Sequence, residues 1–212
     1  MRAGLVPVKA FAAAKTRLAP YLSPEARASL AEALVRDFFA VLEQVRGLDR
    51  VYVASNEPLA LEWAKKRGWI TIVEAKQISE SHSVDAASRI CAEDGVGTLL
   101  RLPADVPLAE AEDIEVILAA AASAPAMVIV PSADGTGTNA LLRSPPTLFP
   151  SHFGTGSFAR HMGEAERCGA SVKILDLPRL GLDIDEPADL RALSLRLTRV
   201  SATSDWLRAH GF

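Results

Sequence analysis

The chain has 212 residues, of which 49% are hydrophobic and 23% charged, and its formal net charge is −3. That length suits one domain, residues 1–212, able to bury about 70% of its unfolded surface, and the slight acidity excludes nucleic-acid binding through a broad basic field. Cys91 and Cys168 lie far apart without metal-ligand spacing, so they read as free thiols of a reducing, cytoplasmic compartment.

The predicted elements alternate. The basic-then-apolar start MRAGLVPV has the look of a signal peptide, but Lys9 cuts the apolar run short, and LVPV (5–8) reads as a strand. A long amphipathic helix follows over 23–45, with Ser23 as N-cap and Pro24 at the first helical position. Next come a strand at 51–55, a helix at 58–67, a strand at 70–74, a helix at 83–93, a strand at 97–103 and a helix at 109–123. The uncharged stretch 116–133 approaches membrane-spanning length, but Pro125 and Pro131 divide it into helix, turn and strand (126–131), so no membrane association is expected. Beyond it lie a turn and strand (135–145), a loop and helix (153–169), a strand (171–177) and a closing helix (185–197) capped by Asp185. Strands separated by helices imply crossovers and a mostly parallel sheet in an α/β fold, with ligands at the carboxyl ends of the strands.

Chemistry-bearing residues cluster at those ends. Lys9 closes the first strand, and Lys15 and Arg17 follow in VPVKAFAAAKTRLAP. The loop is neither G-x-x-x-x-G-K-[ST] nor G-x-G-x-x-G, yet cations among small residues suit a phosphate, where a plain basic loop would be the alternative. In LPADVPL, Asp105 lies just past a strand between two prolines, placed either to hold Mg²⁺ or to cap a turn. In GLDIDEPADL, Asp183 and Asp185 are two apart, so in extended backbone they point the same way, unless Asp185 serves only as a cap. GTGTNALL and FGTGS place Thr138, Gly154 and Ser157 where backbone N–H groups and hydroxyls can take a small acid. Ser157 and His161 also share a helical face, but no G-x-S-x-G elbow accompanies them. His82, His152 and His210 lack ligand spacing.

Taken together, VPVKAFAAAKTRL, LPADVPL, GTGTNALL, FGTGSFARH and LDIDEPADL resemble the CofC family over residues 5–190. Its members are the 2-phospho-L-lactate (or phosphoenolpyruvate) guanylyltransferases of deazaflavin coenzyme F-420 biosynthesis. The resemblance implies a three-layer α/β/α sandwich of the nucleotidyltransferase, GT-A-like kind. It implies GMP transfer from GTP to the phosphate of 2-phospho-L-lactate, phosphoenolpyruvate or 3-phosphoglycerate, with release of pyrophosphate, and a downstream transferase that accepts the product. On this likeness Asp105, Asp183 and Asp185 are the Mg²⁺ ligands, Lys9 the catalytic lysine after the first strand, and Thr138, Gly154 and Ser157 the acid contacts. Lys15 and Arg17 join Lys9 on the triphosphate. In SVDAAS, Asp85 stands where the family has an asparagine beside the nucleotide, a carboxylate that only accepts hydrogen bonds in place of an amide that also donates. Two alternatives stay open: a nucleotidyltransferase with another base or acceptor, and a catalytically silent nucleotide-binding module. The apolar tail around Trp206 and Leu207 packs either on its own domain or on a neighbour in a homodimer.

Overall fold

The computed structural model describes residues 1–212. In chain order the elements are β1 (Arg2–Val8), α1 (Pro24–Leu42), β2 (Arg50–Ser55), α2 (Pro58–Lys66), β3 (Ile70–Val73), α3 (Glu80–Glu93), β4 (Thr98–Arg101), α4 (Ala111–Ala119) and β5 (Ala126–Pro131). Then come β6 (Thr138–Ser144), α5 (Ser157–Arg167), β7 (Ser171–Ile174), α6 (Pro178–Gly181), α7 (Pro187–Arg196) and α8 (Ala202–Ala209). The strands form one sheet in the order β3-β2-β1-β4-β6-β5-β7. Only β6 runs against its neighbours, so the sheet is mixed but mostly parallel.

Strict alternation along each strand sorts the core into two faces. Val6, Val8, Val51, Val53, Leu100, Val128, Val130 and Leu142 pack with α1, α2 and α4. Their neighbours in sequence, Leu5, Tyr52, Ala54 and Leu99, face α3, whereas Met127, Ile129 and Leu141 face α5. Helices therefore cover both sides of the sheet, which is the expected α/β/α sandwich. Helix α1 begins as expected, with Ser23 Oγ accepting from the Ala26 N–H at 3.2 Å and Pro24 at the first position.

A separate apolar cluster secures the C-terminal part of the chain. Leu182, Ile184, Leu190, Leu193, Trp206 and Leu207 pack against Leu18 and against Leu30 and Leu34 of α1. The expected closing helix is followed by a further one, α8, whose first N–H groups, from Ala202 and Thr203, donate to the Asp37 carboxylate of α1 at 3.0 and 2.8 Å. Trp206 Nε1 donates to Ser29 Oγ at 2.9 Å. The apolar tail thus packs on its own domain. No helix is long and apolar enough to cross a membrane.

The start of α7 departs from expectation. Its cap is Glu186 rather than Asp185, because Asp189 reaches back and accepts the N–H groups of Asp185 at 2.9 Å and Glu186 at 2.7 Å. Asp189 does the capping and leaves the Asp185 carboxylate for other work.

The segment carrying Asp183 and Asp185 is docked from its other side by α6. Arg179 donates to the buried Asp113 carboxylate of α4 through Nε and Nη2, at 2.8 to 3.1 Å, while the same carboxylate accepts the Glu110 N–H at 2.9 Å. Replacing Asp113 by alanine removes a helix cap and a forked, charge-assisted pair together. The expected cost is about 2–3 kcal/mol, read as a lowered urea midpoint with unchanged slope.

Candidate active site

A cavity of about 410 Å³ opens at the carboxyl ends of β1 and β4. The chain passes from β1 to β2 on one side and returns to β4 on the other, so the cavity sits at the topological switch point of the sheet. Lys9, Lys15, Arg101, Asp105 and Asp185 all line it. Lys9 is exposed at its rim.

Lys15 is the centre of the charged side. Its Nζ donates to Asp105 Oδ2 at 2.5 Å and lies 3.6 Å from Asp185 Oδ1, while Arg17 Nη1 reaches Asp185 Oδ2 at 3.1 Å. The Lys15 side chain is only 7% exposed, against 33% for Asp105 and 38% for Asp185, so the ammonium is wrapped and the carboxylates keep open faces. Lys15 is also the one non-glycine residue with positive φ, at 53°. A lysine held in this left-handed region stores strain of about 1–2 kcal/mol, which the ion pairs must offset.

Burial works against the Lys15 charge, but the carboxylates of Asp105, Asp185 and Asp183 and the Asp105 hydrogen bond outweigh it, so its pKa lies above the ordinary lysine value. For Asp105, burial would raise the pKa, yet the Lys15 charge and hydrogen bond, with help from Arg101, bring it below the usual carboxylate range. Asp183 goes the other way. Burial and the like charge of Asp105 push its pKa up, and the hydrogen bond from Asn139 offsets part of this. The three aspartates therefore feel one another, which answers the question of whether segments so distant in sequence meet.

Backbone and apolar contacts bring them together. The Ile184 N–H donates to the Asp105 carbonyl at 3.2 Å, stitching the two acidic segments side by side. Leu182 and Ile184 are buried in the C-terminal cluster, so the intervening Asp183 and Asp185 are turned away from it, as the period-two pattern requires. Leu18, next to Arg17, is anchored in the same cluster. Asn139 Nδ2 donates to Asp183 Oδ1 at 3.2 Å and to the Leu180 carbonyl at 2.7 Å.

The expected acid contacts form a second group. Pairing between β5 and β6 slips near Pro131, which has no N–H for the ladder, and the alternation of the strand sends Thr138 and the adjacent Asn139 in different directions. Thr138 turns toward α5. Ser157 Oγ donates to Thr138 Oγ1 at 3.1 Å, and His161 Nδ1 lies 3.1 Å from the same oxygen. The His152 N–H donates to His161 Nε2 at 2.9 Å, so the neutral ring carries its proton on Nδ1 and donates it to Thr138. Burial and nearby cations, Arg143 first among them, lower the His161 pKa to about 3. His161 has no free basic nitrogen and Ser157 spends its proton on Thr138, so these two are not a nucleophile and base. The hydroxyl hydrogen of Thr138 is left to point elsewhere. Gly154, at φ 104°, turns the loop into α5 in a conformation that suits glycine.

Asp85 requires a correction. It does not line the cavity, although Ser83 on the same helix does. Its carboxylate accepts the Ser151 N–H at 3.0 Å and lies 3.7 Å from Arg143, whose side chain is 2% exposed and whose pKa burial lowers to about 10. A buried guanidinium needs a counter-charge, and Asp85 supplies it. Two residues escaped the sequence reading. Arg101 is a buried cation on the cavity wall, and its signal was a lone arginine within the apolar run GTLLRLP. Asn139, two residues past Gly137 in the first glycine-rich turn, gave no signal of its tie to Asp183.

The family model described as guanylyl transferase CofC like matches residues 1–212. The chain belongs to the CofC-like guanylyltransferases. A phosphoenolpyruvate guanylyltransferase of Rubrobacter xylanophilus is 38% identical over 89% of this chain and 91% of that protein. A 2-phospho-L-lactate guanylyltransferase of Methanothermobacter thermautotrophicus is 34% identical over 90% of this chain and 83% of its own. Among solved structures, one from Desulfovibrio desulfuricans, provisionally assigned as a nucleotide-diphospho-sugar transferase, superposes with a TM-score of 0.78 at 17% identity. It covers 99% of this chain and 95% of that one. That likeness bears on the fold, which is a nucleotidyltransferase α/β fold, and the family makes this CofC-like protein a nucleotidyltransferase.

As the carboxylates now stand, no three His, Cys, Asp or Glu side chains are disposed to hold a metal ion, and the cation that Asp105 and Asp185 share is Lys15. Asp183 lacks such a partner, and its raised pKa means that its charge opposes folding. This penalty is complete above the raised folded-state value and vanishes below the ordinary carboxylate value. In metal-free buffer, Asp183→Asn is therefore expected to raise the urea midpoint at pH 7. The gain should shrink as the pH falls through the folded-state pKa and disappear in acid, and a midpoint lowered at pH 7 would refute it.

Proposed function

We propose that this CofC-like protein transfers GMP from GTP to the phosphate of a small three-carbon phospho-acid, in the manner of the relatives named for phosphoenolpyruvate and 2-phospho-L-lactate. The observation that carries this reading is the meeting of Lys15, Arg17, Asp105, Asp183 and Asp185 at one mouth of the sheet. A pocket mouth where cations and carboxylates interleave, each carboxylate keeping an open face, suits a polyphosphate and a divalent ion. We propose further that the activity serves coenzyme F-420 biosynthesis, with a downstream transferase taking the guanylylated acid.

In donor chemistry Asp105, Asp183 and Asp185 suit Mg²⁺, since all three are hard oxygen donors, and they would hold it once the Lys15 ammonium that now lies between Asp105 and Asp185 turns to the triphosphate. When bound, the metal ion supplies neutralisation of charge on the phosphates. The chain's own residues do the rest. Lys15 on the wall, Lys9 at the rim and the exposed Arg17 beside Asp185 bind the triphosphate and offset the charge that builds on leaving pyrophosphate. The acceptor's phosphate oxygen attacks the α-phosphorus, the bond from that phosphorus to the bridging oxygen breaks, and the electron pair leaves with pyrophosphate. The attacking oxygen is already ionised, so no base is required. Thr138, Ser157 and the Gly154 loop, held in order by His161, receive the acid end of the acceptor, and the apolar walls around Val8 and Phe11 limit water.

The test is pyrophosphate release and product mass with GTP, CTP or ATP, each against phosphoenolpyruvate, 2-phospho-L-lactate and 3-phosphoglycerate. GTP with one of these acids is expected to give a guanylylated product. CTP or ATP as the preferred donor would indicate a different transferase, and GTP binding without turnover a silent module. Asp105→Asn is expected to lower turnover about a hundredfold or more, and a chelator to abolish it until Mg²⁺ is restored. Full turnover by that variant would overturn the site.

A further inference from the structure

Arg101 ends β4, with its side chain 8% exposed and its residue among the buried polar groups of the chain. A guanidinium so buried must have each of its donors satisfied or be left at a cost of about 1–3 kcal/mol. Nη1 donates to the Asn139 carbonyl at 2.9 Å. Nη2 meets Glu80 Oε1 at the first turn of α3. Nε is buried and has no partner. The edge formed by Nε and Nη2 is the one with which arginine grips a carboxylate through two parallel hydrogen bonds. Here that edge is half used, by a single oxygen of Glu80.

The surroundings of this edge point to its ligand. The guanidinium lies over the Phe153 ring, 4.3 Å from its centroid, so one of its faces is covered. Phe153 precedes Gly154, and Asn139 follows Thr138. Arg101 is thus braced by the two segments that carry the acid contacts Thr138, Gly154 and Ser157. Arg101, Glu80 and Asp105 all line the cavity, which puts a fixed cation in the same cavity as Lys9 and Lys15.

We propose that Arg101 is the cation that receives the carboxylate of the acceptor acid, and that Glu80 is an internal stand-in which the acid displaces. This deepens the guanylyltransferase reading and rests on it. The incoming carboxylate takes both Nε and Nη2, and the Glu80 side chain, 31% exposed, turns out to water. Binding then exchanges a one-oxygen contact for a two-oxygen one, and the site selects planar acids over neutral three-carbon phosphates.

Steady-state kinetics of the wild-type protein, Arg101→Lys and Glu80→Gln test this, with GTP and each of phosphoenolpyruvate, 2-phospho-L-lactate and 3-phosphoglycerate. Lysine keeps the charge but cannot fork, so Arg101→Lys is expected to raise the KM for the acid about tenfold or more while the KM for GTP stays within about twofold. Glu80→Gln removes the competing charge and is expected to lower the acid KM about threefold or more. The second variant decides the matter alone if the first does not fold, since a merely bracing Glu80 would give the opposite sign. A raised acid KM in Glu80→Gln, an unchanged acid KM in Arg101→Lys, or a GTP KM rising in step with it overturns the proposal while wild-type turnover leaves the guanylyltransferase reading standing. No product from the wild-type protein with any of the three acids sinks that reading, and the role of Arg101 with it.

Discussion

One buried ammonium organises the molecule's working end. Lys15 is held in a left-handed conformation by Asp105, from the middle of the chain, and Asp185, from its C-terminal part. Its own burial disfavours the charge, and only the surrounding carboxylates make it tolerable. Removing either side of such an arrangement leaves an uncompensated charge, so the loop, the β4 rim and the acidic pair are structurally interdependent.

Apolar packing makes that interdependence possible. The sheet fixes the rims of β1 and β4 side by side, while the C-terminal cluster draws Leu18, Leu182 and Ile184 into one place. Arg17 and the two aspartates then have little choice of direction. Asp113 with Arg179, and Asn139 with the Leu180 carbonyl, hold the same segment from its other side. Function here depends on a cluster remote from the chemistry, because a carboxylate placed an ångström away would lose its cation.

The polar groups divide according to what each must satisfy. Asp189 caps α7 and frees Asp185, and Asp85 neutralises Arg143 and so leaves the cavity. His161 is kept neutral and fixed in one tautomer by a backbone N–H, which makes Thr138 an acceptor from α5 with its own hydrogen left over. Asp183 is the exception, a carboxylate whose charge is disfavoured by its burial and by its like-charged neighbours.

By itself the sequence determined the alternation of strands and helices, the Ser23 cap of α1 and the positions of Lys9, Lys15 and Asp105 just past the ends of strands. These follow from local periodicity and turn chemistry, which act over a few residues. It did not determine which capping carboxylate serves α7, where Asp85 points, or that Trp206 closes a cluster beneath Ile184. Nor did it reveal Arg101 as a half-satisfied guanidinium. Each of these depends on a partner dozens of residues away, and only the tertiary structure decides which buried charge meets which carboxylate.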